Sequence, residues 1–193
     1  IMFARTSGTT GDAKYVPVTP TCQGRDHSDQ MRTWFYHAKK DHGRIFKGKM
    51  LSLVSPAVEG HTPSGIPYGS TSGHIYKNMP AVIRGTYAAP YDVFEIEEYE
   101  AKYYVLMRLG LQMPVTMVAS ANPSSIMKMC EMADGFADDL LRDLSDGTLS
   151  GRFLINPAIR AQVEPLCKPR PRWAKTLEAA RARRDGCELE HAP

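Results

Sequence analysis

Short apolar runs of strand length alternate with amphipathic helices along this chain, and that alternation restricts the fold more than any other feature. Met50–Val54 and Val115–Ala119 read as buried strands. Between them, Ile96–Leu109 places Tyr99, Tyr103 and Leu106 on one helical face, with a Glu98/Lys102 pair on the surface. After the second strand, Asn122 caps a helix that has Pro123 in its first turn. The apolar stripe of that helix (Ile126, Met129, Cys130, Ala133, Phe136, Leu140, Leu141, Leu144) runs until Gly147 closes it. Upstream, Thr19 and Pro20 start a helix to about Lys40, with Met31, Trp34, Phe35 and Ala38 at helical spacing and Gly43 at its end. A last helix, Trp173–Arg184, follows the stiff Lys168-Pro169-Arg170-Pro171. Ser55–Pro80, rich in Gly, Pro, Ser and Thr, reads as a long irregular segment. This order predicts an α/β fold with a largely parallel sheet flanked by helices. In such sheets ligands gather at the carboxyl ends of strands.

Two turns fall at such ends. The first is Thr6-Ser7-Gly8-Thr9-Thr10-Gly11-Asp12-Ala13-Lys14, reached directly from the apolar Ile1-Met2-Phe3-Ala4 and followed by Tyr15-Val16-Pro17-Val18. Gly8 and Gly11 let the backbone approach an anion, and successive N–H groups then form a concavity for it. Thr6, Ser7, Thr9 and Thr10 add hydroxyl donors, and Lys14 adds a mobile charge. The spacing Gly8-x-x-Gly11-x-x-Lys14 is not the Walker arrangement, which needs Gly-Lys-Ser/Thr. A plain polar turn is the competing reading; the match of composition and position after a strand favours phosphate binding. The second turn, Ser120-Ala121-Asn122, lies on the same rim in this reading, with small residues leaving room for a substrate beside the cap.

The Ser7–Lys14 loop resembles the phosphate loop of the adenylate-forming superfamily, which includes acyl-CoA synthetases and luciferases. Three further stretches narrow the resemblance. Ser70-Thr71-Ser72-Gly73-His74, Ala119-Ser120-Ala121-Asn122-Pro123-Ser124-Ser125-Ile126 and Leu140-Leu141-Arg142-Asp143-Leu144-Ser145-Asp146-Gly147-Thr148-Leu149 are similar to the auxin-responsive acyl acid amido synthetase family, its bacterial branch above all. The resemblance implies that residues 1–193 are a partial N-terminal adenylation domain, with the phosphate loop at 6–14 and acyl-acid pocket segments at 60–80 and 117–124. It implies ATP and Mg2+ as cofactors, a carboxylic acid and an amine or amino acid as substrates, and a two-step ligase reaction. ATP phosphates would be held by Thr6, Ser7, Gly8, Thr9, Thr10, Gly11 and Lys14. Ser70, Tyr76, Ala119, Ser120 and Asn122 would line the acid pocket, with Tyr68 and His74 nearby. None of these is a nucleophile or base, so no catalytic residue is assigned. The superfamily's adenine-side and ribose-side motifs and its small C-terminal domain have no counterpart here, and Ile1 already sits in a strand. The expectation is therefore a fragment, inactive alone, whose missing C-terminal part is a required partner; the alternative is a non-catalytic nucleotide- or acid-binding module.

Composition excludes other classes. A net charge of +3 over 193 residues is too small to argue for nucleic acid. The basic stretch Lys168–Arg184 reads instead as a solvated helix face with Trp173 and Leu177 turned inward. Cys22, Cys130, Cys167 and Cys187 lie far apart without zinc spacing, which fits reduced thiols and a cytoplasmic protein. No run approaches the ~20 apolar residues of a membrane span. Of the six histidines, His37 and His42 suit a helix C-terminus, and none has metal-ligand spacing. The Met127, Met129 and Met132 cluster reads as core packing.

Overall fold

The computed structural model describes residues 2–5, 14–120 and 122–190. The chain divides into two compact units, Ile1–Glu95 with Val115–Ser120, and Ile96–Pro114 with Ala121–Pro193.

Among the described residues the first unit holds six strands: β1 (Met2–Arg5), β2 (Tyr15–Val18), β3 (Lys49–Ser52), β4 (Gly60–His61), β5 (Pro67–Gly69) and β6 (Val115–Ala119). They form two sheets, not one. A four-stranded sheet has the order β2-β1-β5-β4, and a two-stranded sheet pairs β3 with β6. The expected largely parallel sheet is therefore corrected to a small mixed one. β1 runs parallel to β5, but β1 with β2 and β4 with β5 are antiparallel. Connection length explains this: residues 6–14, or the Thr62–Ile66 turn, are too short for the crossover of about a dozen residues that parallel strands need. β3 and β6 are parallel, with Leu51 opposite Val118 and Ser52 opposite Ala119.

Helix α1 (His27–Asp41) continues from a five-residue π-helical segment, Cys22–Asp26. Thr19 caps its entry as expected, since its Oγ1 accepts from the Cys22 N–H at 3.3 Å. The predicted apolar face of α1 is only partly covered: Met31, Phe35 and Ala38 are half-buried, Trp34 is exposed, and no residue of this helix is fully buried. The Ser55–Pro80 segment is more ordered than its composition predicts. It contains β4, β5 and α2 (Thr71–Asn78), with α3 (Ala81–Arg84) following. Gly73 makes this possible, because a Cβ there would collide with the Ser55 carbonyl.

The second unit is helical and is built around α4 (Tyr99–Leu111), on which Ala101, Tyr103, Tyr104, Val105, Leu106, Arg108 and Leu109 are all buried. A helix apolar on every side belongs inside a core. The single predicted helix from Asn122 to Gly147 is two: α5 (Pro123–Gly135) and α6 (Ala137–Asp146). The break falls at Phe136, with φ −111° and ψ 19°. There the ring turns in against Phe153, 5.2 Å between centroids, and Tyr104, 5.9 Å. Gly147 ends α6 at φ 78°, the left-handed cap the sequence predicts. α7 (Pro157–Val163) was not anticipated, and α8 (Pro171–Glu190) packs along α6. Ala174, not Trp173, is the buried residue at the start of α8; Trp173 is 47% exposed, its Nε1 donating to the Leu111 carbonyl.

Candidate functional site

β1 and β2 form a hairpin in register from Met2 opposite Val18 to Arg5 opposite Tyr15. The candidate phosphate loop is the connection of that hairpin. Thr6, Ser7, Gly8, Thr9, Thr10 and Gly11 lie outside the described residues. Lys14 is described and exposed, directly ahead of β2. The base of the hairpin is stiffened by rings: Tyr15 meets Tyr68 at 5.0 Å and Phe3 at 6.1 Å, and the Arg5 guanidinium lies 5.8 Å from the Tyr68 ring. Tyr68 thus supports the loop base from β5, a role that does not require it to line an acid pocket. Central placement of β1, between β2 and β5, fixes the strand that delivers the loop.

The candidate acid-pocket residues separate by role. Ser70 caps α2: its half-buried hydroxyl accepts from the Gly73 N–H at 3.4 Å and bonds the Ser72 hydroxyl at 2.7 Å. Tyr76 is 3% exposed, and its hydroxyl donates to the Ala89 carbonyl at 3.0 Å. Its ring packs on Tyr87, Tyr91 and Phe94, and burial pushes its phenol up to about 12. Tyr76 is therefore packed into the aromatic core of the first unit. Tyr91, also raised by burial, accepts from the Ala57 N–H at 2.7 Å and ties the same cluster to the chain before β4. His74 is half-buried on α2, and burial, joined by the nearby Lys77 charge, lowers its pKa.

Ala119 ends β6 and Ser120 follows it; both are half-buried in the first unit. Asn122 belongs to the second unit and caps α5 as predicted, its Oδ1 accepting from Ser124 N–H at 3.0 Å. The strand ends that deliver the two turns, β1 and β6, lie in different sheets.

Sequence reasoning missed a cleft of about 120 Å³ in the first unit, lined by Val18, Cys22, Asp26, His27, Gln30, Thr71 and Ile75. The only sequence signal for it is Thr71 and Ile75, one helical turn apart in a stretch that reads as loop.

The family-like stretch Leu140–Leu149 is anchored by Leu140, Asp143, Leu144 and Leu149, which are buried. Asp143 is 2% exposed. Its carboxylate accepts from Tyr104 Oη at 2.6 Å, from Thr148 Oγ1 at 3.0 Å and from the Ser150 N–H. Burial and the Asp143 carboxylate together push the Tyr104 phenol far above its ordinary value. Beside this knot the fully buried Arg108 donates to the Thr148 carbonyl at 3.0 Å, Gln112 Oε1 at 3.1 Å and the Lys168 carbonyl at 3.3 Å. On α8, Arg181 and Arg184 pair with Asp138 and Asp134, so part of the basic stretch is answered within its own unit. Among the described residues no group of three or more His, Cys, Asp or Glu is placed to hold a metal, and no helix is long and apolar enough to cross a membrane.

The model of the GH3 family N-terminal domain matches residues 1–189. Comparison with curated proteins yields no match. Among solved structures, the chain is similar to a GH3.15 acyl acid amido synthetase at 18% identity and a TM-score of 0.73, over 92% of this chain and 31% of that one. It is also similar to an AtGH3.15 acyl acid amido synthetase in complex with 2,4-DB, at 17% identity and a TM-score of 0.73, over 92% of this chain and 32% of that one. The chain spans about a third of the length of these structures, and at such identities the likeness is one of fold.

Proposed function

This chain belongs to the GH3 family, and from that membership we propose that it is the N-terminal portion of the adenylation domain of an ATP-dependent acyl acid amido synthetase. One observation carries the reading: the family match covers residues 1–189, and within it the segment of phosphate-loop composition is the connection of the β1–β2 hairpin. Within the family we assign the chain to the bacterial branch, on the sequence resemblance.

The reaction has two steps. A carboxylate oxygen of the acid attacks the α-phosphorus of ATP, the bond from that phosphorus to the bridging oxygen breaks, and pyrophosphate leaves. An amine nitrogen then attacks the acyl carbonyl and loses a proton, and AMP departs with the electron pair of the broken bond. This chain contributes grip and orientation to the first step. Lys14 and the loop Thr6–Gly11 would hold the β- and γ-phosphates while the acid approaches from the other side. Within the first unit, the acid would lie against Ser70, Tyr76, Ala119 and Ser120. A chlorinated phenoxy acid such as 2,4-DB, held by the related structure, is a sensible first probe. Mg2+ would arrive on the triphosphate and neutralise its charge; the described residues supply no dedicated cage. We place the protein in the cytoplasm, with small molecules and the remaining part of its own polypeptide as partners.

Carboxylate-dependent exchange between ATP and labelled pyrophosphate tests the reading in the enzyme that contains this chain. Exchange that disappears in Lys14→Ala is the expected result. Exchange untouched by that change overturns the assignment of the loop. The chain alone should show no exchange, and ATP binding without exchange in the longer protein as well would favour the binding-module alternative.

A further inference from the structure

Helix α2 rests on the chain ahead of β4 with backbone against backbone. A Cβ on Gly73 would collide with the Ser55 carbonyl and the Ala57 nitrogen, and one on Gly69 with the Ala57 carbonyl. Such a contact has no soft side chain to absorb a shift, so the start of α2 follows wherever residues 55–57 sit. Two hydrogen bonds fix that seat. The Ser70 N–H donates to the Pro56 carbonyl at 3.0 Å, and the Ala57 N–H donates to the Tyr91 hydroxyl at 2.7 Å. Ala57 is 1% exposed, so its N–H depends on that hydroxyl. The Tyr91 ring lies against the other end of the same helix, with the Lys77 ammonium 4.9 Å from its centroid and the Tyr76 ring 5.8 Å away. One side chain thus closes a loop: its ring holds residues 76 and 77, and its hydroxyl holds the segment on which Ser70 hangs.

We infer that Tyr91 is a positioning residue for the acid substrate: through Ala57 and Pro56 it sets the seat of Ser70 at the start of α2. The inference rests on the proposed acid-binding role of Ser70, and every group in it belongs to the first unit. Tyr91 touches no reacting atom in this account. A phenylalanine in its place would keep the ring contacts with α2 and leave the Ala57 N–H without a partner. The two ends of the helix would then no longer be held by one group. Ser70 is sensitive to that change, because the bond its hydroxyl accepts from the Gly73 N–H is already long at 3.4 Å.

The test uses pyrophosphate exchange in the enzyme containing this chain, with benzoate and 2,4-DB as acid probes, and amide hydrogen exchange at Ala57 and Ser70. Tyr91→Phe should raise the KM for acid about fivefold, the scale of one hydrogen bond, with kcat and the KM for ATP unchanged. Its Ala57 and Ser70 amides should exchange faster while α4 keeps its protection. Ser70→Ala should also raise the acid KM, and adding Tyr91→Phe to it should raise that value by less than about twofold more. Tyr104→Phe, which removes a buried hydroxyl from the second unit, should leave the acid KM unchanged. Lys77→Ala loosens the ring alone and should raise the acid KM about twofold. An unchanged acid KM in Tyr91→Phe overturns the inference; should that variant not fold, an unchanged acid KM in Lys77→Ala does so. Equal rises in the acid and ATP values, unaltered amide exchange at Ala57 and Ser70, an equal acid effect in Tyr104→Phe, or a further rise of about twofold or more on top of Ser70→Ala also overturns it. If Ser70→Ala leaves the acid KM unchanged, the inference falls and the enzyme assignment stands. If the wild type shows no exchange with any acid, the proposed function itself fails.

Discussion

Two stretches of this chain, Thr6–Lys14 and Leu140–Leu149, use polar residues in opposite ways. Thr6–Lys14 connects two strands at the end of a hairpin, and Lys14 is exposed ahead of β2. Leu140–Leu149 turns one carboxylate inward: Asp143 is buried with three protein donors on its carboxylate, and the backbone of Gly147 and Thr148 folds back on the Asp143 carbonyl at 2.9 and 3.1 Å, while Arg142 and Asp146 stay exposed. A buried carboxylate surrounded by donors specifies one turn geometry and binds nothing else. An exposed lysine beside glycines and hydroxyls specifies little by itself and is suited to a ligand. Motif specificity is thus no guide to function: the longer and more distinctive of the two stretches is the structural one.

The comparison breaks if Asp143 proves dispensable. Asp143→Ala strands the Tyr104 hydroxyl and the Ser150 N–H in a dry interior and removes the partner of the Thr148 hydroxyl, and should cost ~3–5 kcal/mol in urea unfolding, enough to threaten folding of the second unit. Lys14→Ala should show the converse pattern. In the full enzyme it should lower adenylation by about 100-fold or more, the scale of losing one transition-state contact, while the melting temperature stays within about 2 °C. A large loss of stability there would make the loop structural too.

Alkaline titration sharpens the contrast. Burial raises the phenols of Tyr76 and Tyr103 to about 12, and Tyr104 rises further beside Asp143. Each phenol binds its proton more tightly folded than unfolded, so its contribution is intact below the ordinary value near 10 and is lost as pH climbs through 12. Stability measured by denaturant should therefore fall steeply above about pH 10, and less steeply in Tyr104→Phe. The smallest effect belongs to Ser70→Ala, which removes a helix cap from α2 and should cost about 1 kcal/mol by thermal unfolding. If acid binding weakens by more than that cap explains, Ser70 also touches substrate.

The helix caps were legible from the chain because they are local. Thr19, Asn122 and Gly147 need only their immediate neighbours to act, and all three behave as their residue types dictate. β6 was legible too, as an apolar run between Pro114 and Ser120. What failed to show was whatever depends on distant partners. The Phe136 break exists because its ring finds Phe153 and Tyr104, and periodicity across 122–147 is blind to that. The ordering of Ser55–Pro80 depends on Gly73 fitting under the Ser55 carbonyl, which composition reads only as flexibility. Sheet direction depends on connection length as well as pattern: apolar runs mark the strands, but residues 6–14 and 62–66 are too short for a parallel crossover. Of the candidate site, the sequence around Tyr76 carries no sign of the rings that surround it, because Tyr87 and Phe94 come from later in the chain.

The place of β1 has a further consequence for synthesis on the ribosome. The β1–β2 hairpin can close as soon as Val18 has emerged, yet the other edge of β1 pairs with β5, which waits on residues 19–66. Throughout that interval a nascent chain carries an open strand edge beside Phe3 and Met2, the kind of edge that recruits strangers. Slow translation between Val18 and Pro67 should therefore lower soluble yield, and chaperone capture should centre on the hairpin until Tyr68 and Gly69 arrive to cover it.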